Sequence, residues 1–423
     1  MSFSQALSGL NAAKSNLGVL GNNIANSQTV GFKGASSQFA DVFANSKVGL
    51  GTRVSAVLQD FSEGNLEATN RNLDLAISGQ GFYRFEQGGE ITYSRNGQLS
   101  LTPDGFLENA TGARIMGYGL NAAGQVQTGG QPQVLNVPAD EMPASATTNV
   151  ATTFNLDSRM VAGEGRSQAE VVTDMTDPDN TQQTLNYHYS NNFTVYDSLG
   201  NPRNITVYYE KAGAPNTWNA QVVMDGHYSA GNDFTLTFDN SGRLDLVDGA
   251  DASDPANMPT LNVANDATTP LGPDPVAMAF DLNIAGSTQF GNTSTTSALT
   301  QDGYTSGALV GITIQNDGTI MRNYANEQSR PAGQIALAYF RNPEGLNASG
   351  DNAWTATNAS GQELLGAPGT GVLGTVESGA IETSNVDMAK QLVDMIVSQR
   401  AYQANSQTIK TQDELLQTAI NLR

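Results

Sequence analysis

The chain contains few side chains whose type and spacing could carry catalysis. It has two histidines, His188 and His227, each beside a tyrosine in a segment that reads as strand or turn. No HExxH metal motif and no GxSxG nucleophile motif is present. A Ser-His-Asp triad is not excluded by spacing, because its members meet only in the folded protein. We interpret both histidines as ordinary half-buried residues and predict that the chain is not an enzyme.

Two further patterns could bind a cofactor or a metal. Residues 369–374, Gly-Thr-Gly-Val-Leu-Gly, match GxGxxG, but a dinucleotide site needs a strand before that motif and a helix after it. Pro368 precedes it and Gly379 follows closely, so we interpret the match as chance in a glycine-rich chain. An acidic run could offer oxygen ligands to calcium, although it lacks the EF-hand spacing. That run consists of Asp239, Asp245, Asp248, Asp251 and Asp254. A solvated loop is favoured, cation binding there stays open, and no cofactor is predicted.

Length and charge exclude several classes of protein. The 423 residues predict about two to four domains. There are 20 Lys and Arg against 41 Asp and Glu, a net charge of −21, which argues against binding to nucleic acid or to anionic membranes. There is no cysteine, so disulfides and thiolate sites are excluded. No apolar run approaches the ~18 residues of a membrane span, and polar residues interrupt the N-terminal segment. We therefore predict no membrane insertion and no cleaved signal peptide.

Both ends of the chain have the heptad period of a coiled coil. The N-terminal rows are Phe3, Leu10, Leu17 and Ile24, with Ala6, Ala13 and Leu20. The C-terminal row is Met388, Met395, Tyr402, Ile409 and Leu416. Its expected companion row is Leu392, Gln399, Ser406, Asp413 and Ile420, which is apolar only at its ends. Ser384 and Asn385 are the expected N-cap residues. One apolar row is too little to hold a long helix, so we predict that both helices need neighbouring subunits.

Between the ends the hydrophobic period changes to 2, which indicates strands. Turn sequences at 102–105 and 316–318 predict hairpins that need a left-handed glycine or asparagine. Residues 193–209 and 234–246 each read as strand, turn and strand. We therefore predict a multidomain α+β protein in which two mainly antiparallel β domains are inserted between the terminal helices of a coiled-coil inner domain. The predicted parts are 1–30 plus 386–423 (helical), 31–75 plus 371–385 (connecting), 76–145 plus 299–370 (inner β) and 146–298 (outer β).

Several blocks of sequence are similar to the bacterial flagellar rod and hook axial protein family. They lie at residues 25–33, 72–82, 93–97, 384–387, 399–406 and 415–417, and cover parts of about the first 120 and last 115 residues. The positions that carry the family motif are Asn26, Thr29, Gly31, Phe32, Lys33, Asp74, Gly79, Gly81, Asn385, Asp387, Arg400, Tyr402 and Asn405. Residues 307–361 resemble the hook members most. The resemblance also favours them because rod members lack a large inserted outer domain such as residues 146–298, whose sequence matches no motif of the family.

The resemblance implies a structural subunit of the flagellar hook, which self-assembles into a curved helical tube. Such a tube acts as a universal joint that transmits torque from the rod to the filament. Implied partners are further copies of the chain, flagellar rod proteins, hook–filament junction proteins, the hook cap and the flagellar type III export apparatus. The implied location is the hook, at the cell exterior. The expected assembly interface comprises Phe3, Leu10, Leu17, Leu20, Ile24, Met388, Leu392, Met395, Tyr402, Ile409 and Leu416.

Two other functions are compatible with parts of the sequence. A distal rod protein would share the terminal blocks, but the chain length and the second β domain oppose it. A secreted acidic β-sandwich that binds or hydrolyses carbohydrate would use Trp218, Tyr208 and Tyr209 as a sugar platform, with paired carboxylates for acid/base catalysis. That function leaves both heptad termini unexplained.

Overall fold

The computed structural model describes residues 3–42, 49–173, 179, 181–264, 271–272 and 274–421, with side chains to residue 418. Residues 1–2 and 422–423 of the predicted helical part, and the side chain of Ile420, lie outside the described residues. The chain divides into two compact units. The first unit combines Met1–Ala139, Val310–Asn323 and Ser329–Arg423, and the second combines Asp140–Leu309 and Tyr324–Gln328. The finer division into four parts stays a prediction.

The described residues contain a helix near each end and strands between them. The helices are α1 (Phe3–Ala25) and α2 (Met388–Asn421). The strands up to residue 139 are β1 (Ala35–Val42), β2 (Gly51–Gln59), β3 (Leu66–Ala68), β4 (Asp74–Ser78), β5 (Phe82–Gln87), β6 (Glu90–Ser94), β7 (Gly97–Gln98), β8 (Ser100–Leu101), β9 (Leu107–Glu108), β10 (Arg114–Tyr118) and β11 (Gln133–Val134).

The strands of the second unit and of the returning chain follow. The second unit has β12 (Asn149–Asp157), β13 (Ser167–Thr173), β14 (Gln182–Tyr187), β15 (Tyr189–Tyr196), β16 (Pro202–Lys211), β17 (Thr217–Met224), β18 (His227–Tyr228), β19 (Phe234–Phe238), β20 (Leu244–Val247), β21 (Ala250–Asp251), β22 (Thr260–Val263), β23 (Met278–Asn283), β24 (Thr288–Phe290) and β25 (Thr295–Gln301). The chain continues with β26 (Leu309–Ile314), β27 (Thr319–Tyr324), β28 (Ser329–Ile335), β29 (Leu337–Tyr339), β30 (Asn347–Gly350), β31 (Ala353–Thr355), β32 (Leu364–Gly366), β33 (Thr375–Ser378) and β34 (Ala380–Glu382). Short 3-10 helices lie at Ala230–Asn232, Pro255–Asn257 and Pro343–Gly345.

A large sheet forms the β part of the first unit. Its main path runs β26-β27-β28-β10-β5-β6-β31-β30, so three strands from the first part of the chain lie between strands from the returning part. The two predicted hairpins are confirmed, β8 with β9 and β26 with β27. Their turns place Gly105 and Gly318 at φ +84° and +79°, a conformation that side chains disfavour. Alternating apolar residues of these strands, such as Ile115, Ile320 and Ile335, form the buried core.

Strands from the two ends of the chain pair with each other next to this sheet. β3 pairs with β34, and β4 pairs with β33, both antiparallel. These pairs bring the segment that follows α1 to the segment that precedes α2. The two helices are therefore placed together by the β structure as well as by their own contact.

The second unit is built on strand pairs that the sequence predicted. β15 pairs with β16 around the turn at 197–200, and β19 pairs with β20 around the turn at 239–242, which confirms both predictions. Trp218 and Tyr209 lie in its core. The unit differs from a purely antiparallel domain, because β12 pairs in parallel with β23 and β24, and β13 with β18. These partners are far apart along the chain, so no tight turn forces them to be antiparallel.

The β15–β16 turn has a buried carboxylate that should respond to acid. Asp197 accepts hydrogen bonds from the backbone amides of Leu199 (3.0 Å) and Asn201 (2.9 Å) and from Arg203 (3.1 Å). Burial raises the pKa of Asp197, but the hydrogen bonds from Asn201, Leu199 and Arg203 outweigh it and hold the pKa below 3.8. Its stabilisation is therefore present above about pH 4 and is lost as the pH falls through the lowered native pKa.

We expect Asp197→Asn to lower the free energy of unfolding at pH 7 by about 1–3 kcal/mol, because charge-assisted bonds are lost. The difference from wild type should shrink below about pH 4, where the wild-type carboxylate also becomes protonated. Denaturant unfolding at pH 7 and at low pH checks this. Glu170→Gln, at an exposed strand position, is the control. A difference that does not depend on pH would contradict the assignment.

Candidate assembly interface

The terminal helices contact each other through small and polar side chains. Asn16 Nδ2 donates to Ser398 Oγ at 2.7 Å. A Cβ atom added at Gly9 would lie 2.8 Å from Nδ2 of Asn405, so the helices approach closely there. Leu20 is the one large apolar side chain buried on the described part of α1. Little apolar area therefore holds the two helices together within one chain.

Asn23 connects three elements at the end of this helix pair. Its side chain is 1% exposed. Its Nδ2 donates to the carbonyl of Ala35 at 2.7 Å and to Gln391 Oε1 at 3.1 Å, and its Oδ1 accepts from the amide of Ala35 at 2.9 Å. α1, β1 and α2 are thus joined by one buried amide.

The β1–β2 hairpin covers another side of α1. Gln5 Nε2 donates to the carbonyl of Gly49 at 2.6 Å, and Ser8 Oγ accepts from the amide of Thr52 at 3.2 Å. Phe39 and Val57 remain 50% exposed on this hairpin. The hairpin therefore adds apolar surface next to the helices.

α2 presents its apolar side chains away from α1. At 3.6 residues per turn, Gln391 and Ser398, which bond to α1, lie on one side of α2, and Val393 and Ile396 lie on roughly the opposite side, between Leu392 and Val397. The exposed side chains of this apolar face are Leu392 (46%), Val393 (60%), Ile396 (51%) and Val397 (61%), and Met388 (42% exposed) lies at its edge. A surface helix normally turns its apolar side toward its own protein. The reversed arrangement indicates a face that another chain covers.

α2 differs from the sequence prediction in two details. Asp387 caps the helix, since its Oδ1 accepts from the amides of Ala389 (2.9 Å) and Lys390 (3.2 Å), so the predicted caps Ser384 and Asn385 are wrong. The α2 residues that contact α1 are Gln391, Ser398 and Asn405, and not the predicted companion row that begins at Leu392. These residues are polar, so an apolar heptad period does not mark them as part of the helix contact.

The predicted interface residues fall into three groups by exposure. Leu20 is buried between the elements of the first unit. Leu10, Leu17, Ile24, Met395 and Ile409 are half-buried. Phe3, Met388, Leu392, Tyr402 and Leu416 are exposed. Leu7, Val393, Ile396 and Val397 are also exposed and apolar, and the heptad rows missed them because they lie beside the rows.

The motif residues near Lys33 surround a buried cluster of charges. Glu382 Oε1 accepts from Lys33 Nζ at 2.6 Å, and its Oε2 accepts from Arg95 Nε at 2.8 Å. Arg95 Nη1 also donates to the carbonyls of Gly79 (2.9 Å) and Gly81 (2.7 Å). Burial lowers the pKa of Lys33, and Glu382 opposes that shift. Sequence reasoning missed Glu382, although two cations in motif blocks signalled the need for a carboxylate.

The other motif residues stabilise the chain turns beside this cluster. Thr29 Oγ1 donates to Asn26 Oδ1 at 3.1 Å. Asn385 Oδ1 accepts from the amide of Gly34 at 2.8 Å, and Asp74 Oδ2 accepts from Thr69 Oγ1 at 2.9 Å. Of the remaining motif residues, Gly31 is buried, Phe32 is half-buried, and Arg400 is exposed on α2.

The structure places two of the three candidate carbohydrate residues in the interior of the second unit, and the third, Tyr208, is half-buried. Trp218 and Tyr209 are 0% exposed, and Trp218 Nε1 donates to Gln289 Oε1 at 2.6 Å. Neither ring can stack on a sugar, so that platform is wrong. His188 contacts the carbonyl of Glu164 at 2.9 Å through Nε2, and its Nδ1 accepts from the amide of Lys211 at 3.1 Å. His227 Nδ1 lies 3.1 Å from the carbonyl of Asp225.

The remaining sequence patterns have structural explanations. A strand, β32, does precede the GxGxxG segment, contrary to the sequence reading, but another strand, β33, follows it where a dinucleotide site needs a helix. Asp239, Asp251 and Asp254 accept hydrogen bonds from amides of their own turns. In the part of the chain that the structure describes, no group of three or more His, Cys, Asp or Glu could hold a metal ion. None of the helices described is long and apolar enough to span a membrane.

Family models match most of the chain in four pieces, which leave out residues 34–75 and 305–376. Their descriptions are "Flagella basal body rod protein" at residues 4–33, "Flagellar hook protein FlgE/F/G D1 domain" at 76–158, "Flagellar basal body protein FlaE D2 domain" at 155–304 and "Flagellar basal body rod FlgEFG protein C-terminal" at 377–422.

Known proteins resemble the chain over its full length. The flagellar hook protein FlgE of Escherichia coli (strain K12) is 43% identical over 427 residues, which cover 100% of both chains. The flagellar hook protein FlgE of Borreliella burgdorferi is 34% identical over 454 residues, 100% of this chain and 99% of the relative. The crystal structure of Helicobacter pylori flagellar hook protein FlgE2 matches with a TM-score of 0.51 at 13% identity, over 75% of this chain and 100% of that one, which supports the fold.

Proposed function

Because the chain belongs to the flagellar hook protein family, we propose that it polymerises through its terminal helices into the curved tube of the hook. It is a structural subunit of the flagellar hook. In the proposed polymer the apolar face of α2 packs against a neighbouring copy. The tube then acts as a universal joint that transmits torque from the rod to the filament.

One observation supports this polymer contact above the others. The apolar face of α2, Leu392, Val393, Ile396 and Val397, is exposed and points away from the side that bonds to α1. A helix that is polar toward its own chain and apolar toward solvent is stabilised when a second copy covers it. A hook contains many copies of one subunit, so a neighbouring copy is the occupant always at hand, and repeated head-to-tail contacts that do not close into a ring build a helical tube.

The partners and the route to the cell exterior are further parts of the proposal. We propose that rod proteins, hook–filament junction proteins and the hook cap contact the ends of the tube. We also propose that the flagellar type III export apparatus delivers the subunit unfolded, without a cleaved signal peptide. The similarity to flagellar proteins supports both statements at the level of the family. No catalytic step is part of the proposed function.

Negative-stain electron microscopy of the purified full chain at increasing concentration tests the polymer. We expect curved tubes above a critical concentration, and segments 1–30 and 386–423 that are more sensitive to protease in the dilute monomer than in the tubes, since the helices bury further apolar surface on assembly. In the tubes both segments should become resistant. A protein that stays monomeric at high concentration, or whose ends resist protease equally in both states, would contradict the proposal.

A further inference from the structure

The buried charge cluster lies where the two helices enter the β structure of the first unit. Lys33 follows α1, Glu382 ends β34 shortly before α2, and Arg95 follows β6 of the large sheet. The three side chains are 1%, 0% and 4% exposed. The backbone carbonyl of Glu382 also accepts from the amide of Gly31 at 2.8 Å. Glu382, which lies in the segment that precedes α2, therefore contacts both the segment that follows α1 and the end of a strand of the large sheet.

Both carboxylate oxygens of Glu382 are fully used. Oε1 accepts from Lys33 Nζ (2.6 Å) and from the amide of Gly64 (2.9 Å), and Oε2 accepts from Arg95 Nε (2.8 Å). Two buried cations face one carboxylate in direct contact, which leaves one excess positive charge. Asp60, the next acidic group that acts on Lys33, lies at the exposed surface. Without Glu382 the cluster would hold two uncompensated buried cations, an arrangement that is strongly unfavourable.

We propose that Glu382 is a positioning residue of the hook subunit, whose charge holds the entries of both terminal helices rigidly against the large sheet. This inference rests on the proposed function, because a rigid entry matters when the helices belong to the inner tube and the sheet must follow them. Bending of the polymer would then occur at contacts between subunits and not at this cluster.

Amide hydrogen exchange of the soluble full chain tests the charge argument without any polymer. The reporter is the amide of Gly31, and the control is the amide of Ile335, which donates to the carbonyl of Gly318 within the sheet. We expect Glu382→Gln to accelerate exchange at Gly31 about 100-fold, because it leaves two buried cations. Lys33→Met leaves a neutral Arg95–Glu382 pair and should accelerate it less than about tenfold. Exchange at Ile335 should change little.

The double variant Lys33→Met/Glu382→Gln separates positioning by charge from a simple loss of contacts. Removing the charge of Lys33 should partly reverse the effect of Glu382→Gln, so exchange at Gly31 should be slower in the double variant than in Glu382→Gln alone. If every lost hydrogen bond simply loosened the region, the double variant would exchange fastest and Lys33→Met would equal Glu382→Gln, which would overturn the proposal. Should Glu382→Gln fail to fold, a folded double variant supports the proposal and an unfolded one contradicts it.

Tubes grown from the variants test the mechanical part. We expect tubes of Glu382→Gln to bend more variably along their length than wild-type tubes, with the double variant between them. An unchanged distribution of bend angles would overturn the positioning role. Wild-type protein that forms no tubes would contradict the proposed function instead, and the exchange experiment would still decide whether Glu382 holds the helix entries.

Discussion

Replacing Leu392 and Ile396 together with glutamine is expected to raise the critical concentration for tube formation roughly 10- to 100-fold. Both side chains are about half exposed in the single chain, at 46% and 51%. Burying the remaining area of the two side chains would stabilise a contact by about 1.5–3 kcal/mol, since a full side chain contributes about 1.5–3 kcal/mol. Each 1.4 kcal/mol corresponds to about tenfold in affinity. Glutamine forms helices about as well as leucine, so α2 itself should persist.

Sedimentation combined with electron microscopy measures this critical concentration. The matched control is Leu364→Gln with Val372→Gln, two apolar residues of the same unit that are 52% and 61% exposed but lie outside α2. The control should form tubes at the wild-type concentration. The thermal unfolding of both double variants should remain close to wild type. Equal loss of assembly in the two variants would mean that general surface hydrophobicity, and not the α2 face, drives polymerisation.

Asn23→Leu is expected to lower the free energy of unfolding of the first unit by about 2–5 kcal/mol. The substitution removes the bonds of Asn23 to both backbone groups of Ala35 and to Gln391. Each buried polar group left without a partner costs about 1–3 kcal/mol. α1 would also lose one of its hydrogen bonds to α2, so assembly should weaken together with stability.

Denaturant unfolding and amide exchange at Ala35 measure the effect of Asn23→Leu. Asn11→Leu is the control, because Asn11 is an exposed asparagine on the same helix. It should change stability by less than about 0.5 kcal/mol, as surface substitutions usually do. If both variants lost the same stability, the bonds of Asn23 would not be the connection between α1, β1 and α2.

The periodic parts of the fold could be predicted because apolar spacing is a local signal. The heptads of Leu10 and Met395, and the alternation around Ile312 and Phe193, gave the helices and the hairpins that the structure contains. The turns at Gly105 and Gly318 were predictable because few other residues tolerate a positive φ. The parallel pairing of β12 with β23 and β24 was not, since it joins strands more than 100 residues apart.

The site was harder to predict because polar contacts leave no period. Asn23, Ser398 and Glu382 act through single hydrogen bonds and ion pairs to residues hundreds of positions away. The family resemblance marked Lys33 and Asn385 as motif residues but did not say what they contact. The apolar residues Val393 and Val397 lie outside the heptad rows, because the exposed apolar face of α2 is wider than a two-helix seam.

A helical reconstruction of the assembled tubes at side-chain resolution tests the central claim most directly. We expect α1 and α2 of every subunit to form the inner wall, with Leu392 and Ile396 within about 4.5 Å of apolar atoms of a neighbouring copy. Terminal helices on the outer wall, or an α2 apolar face that remains exposed to solvent in the tube, would contradict it.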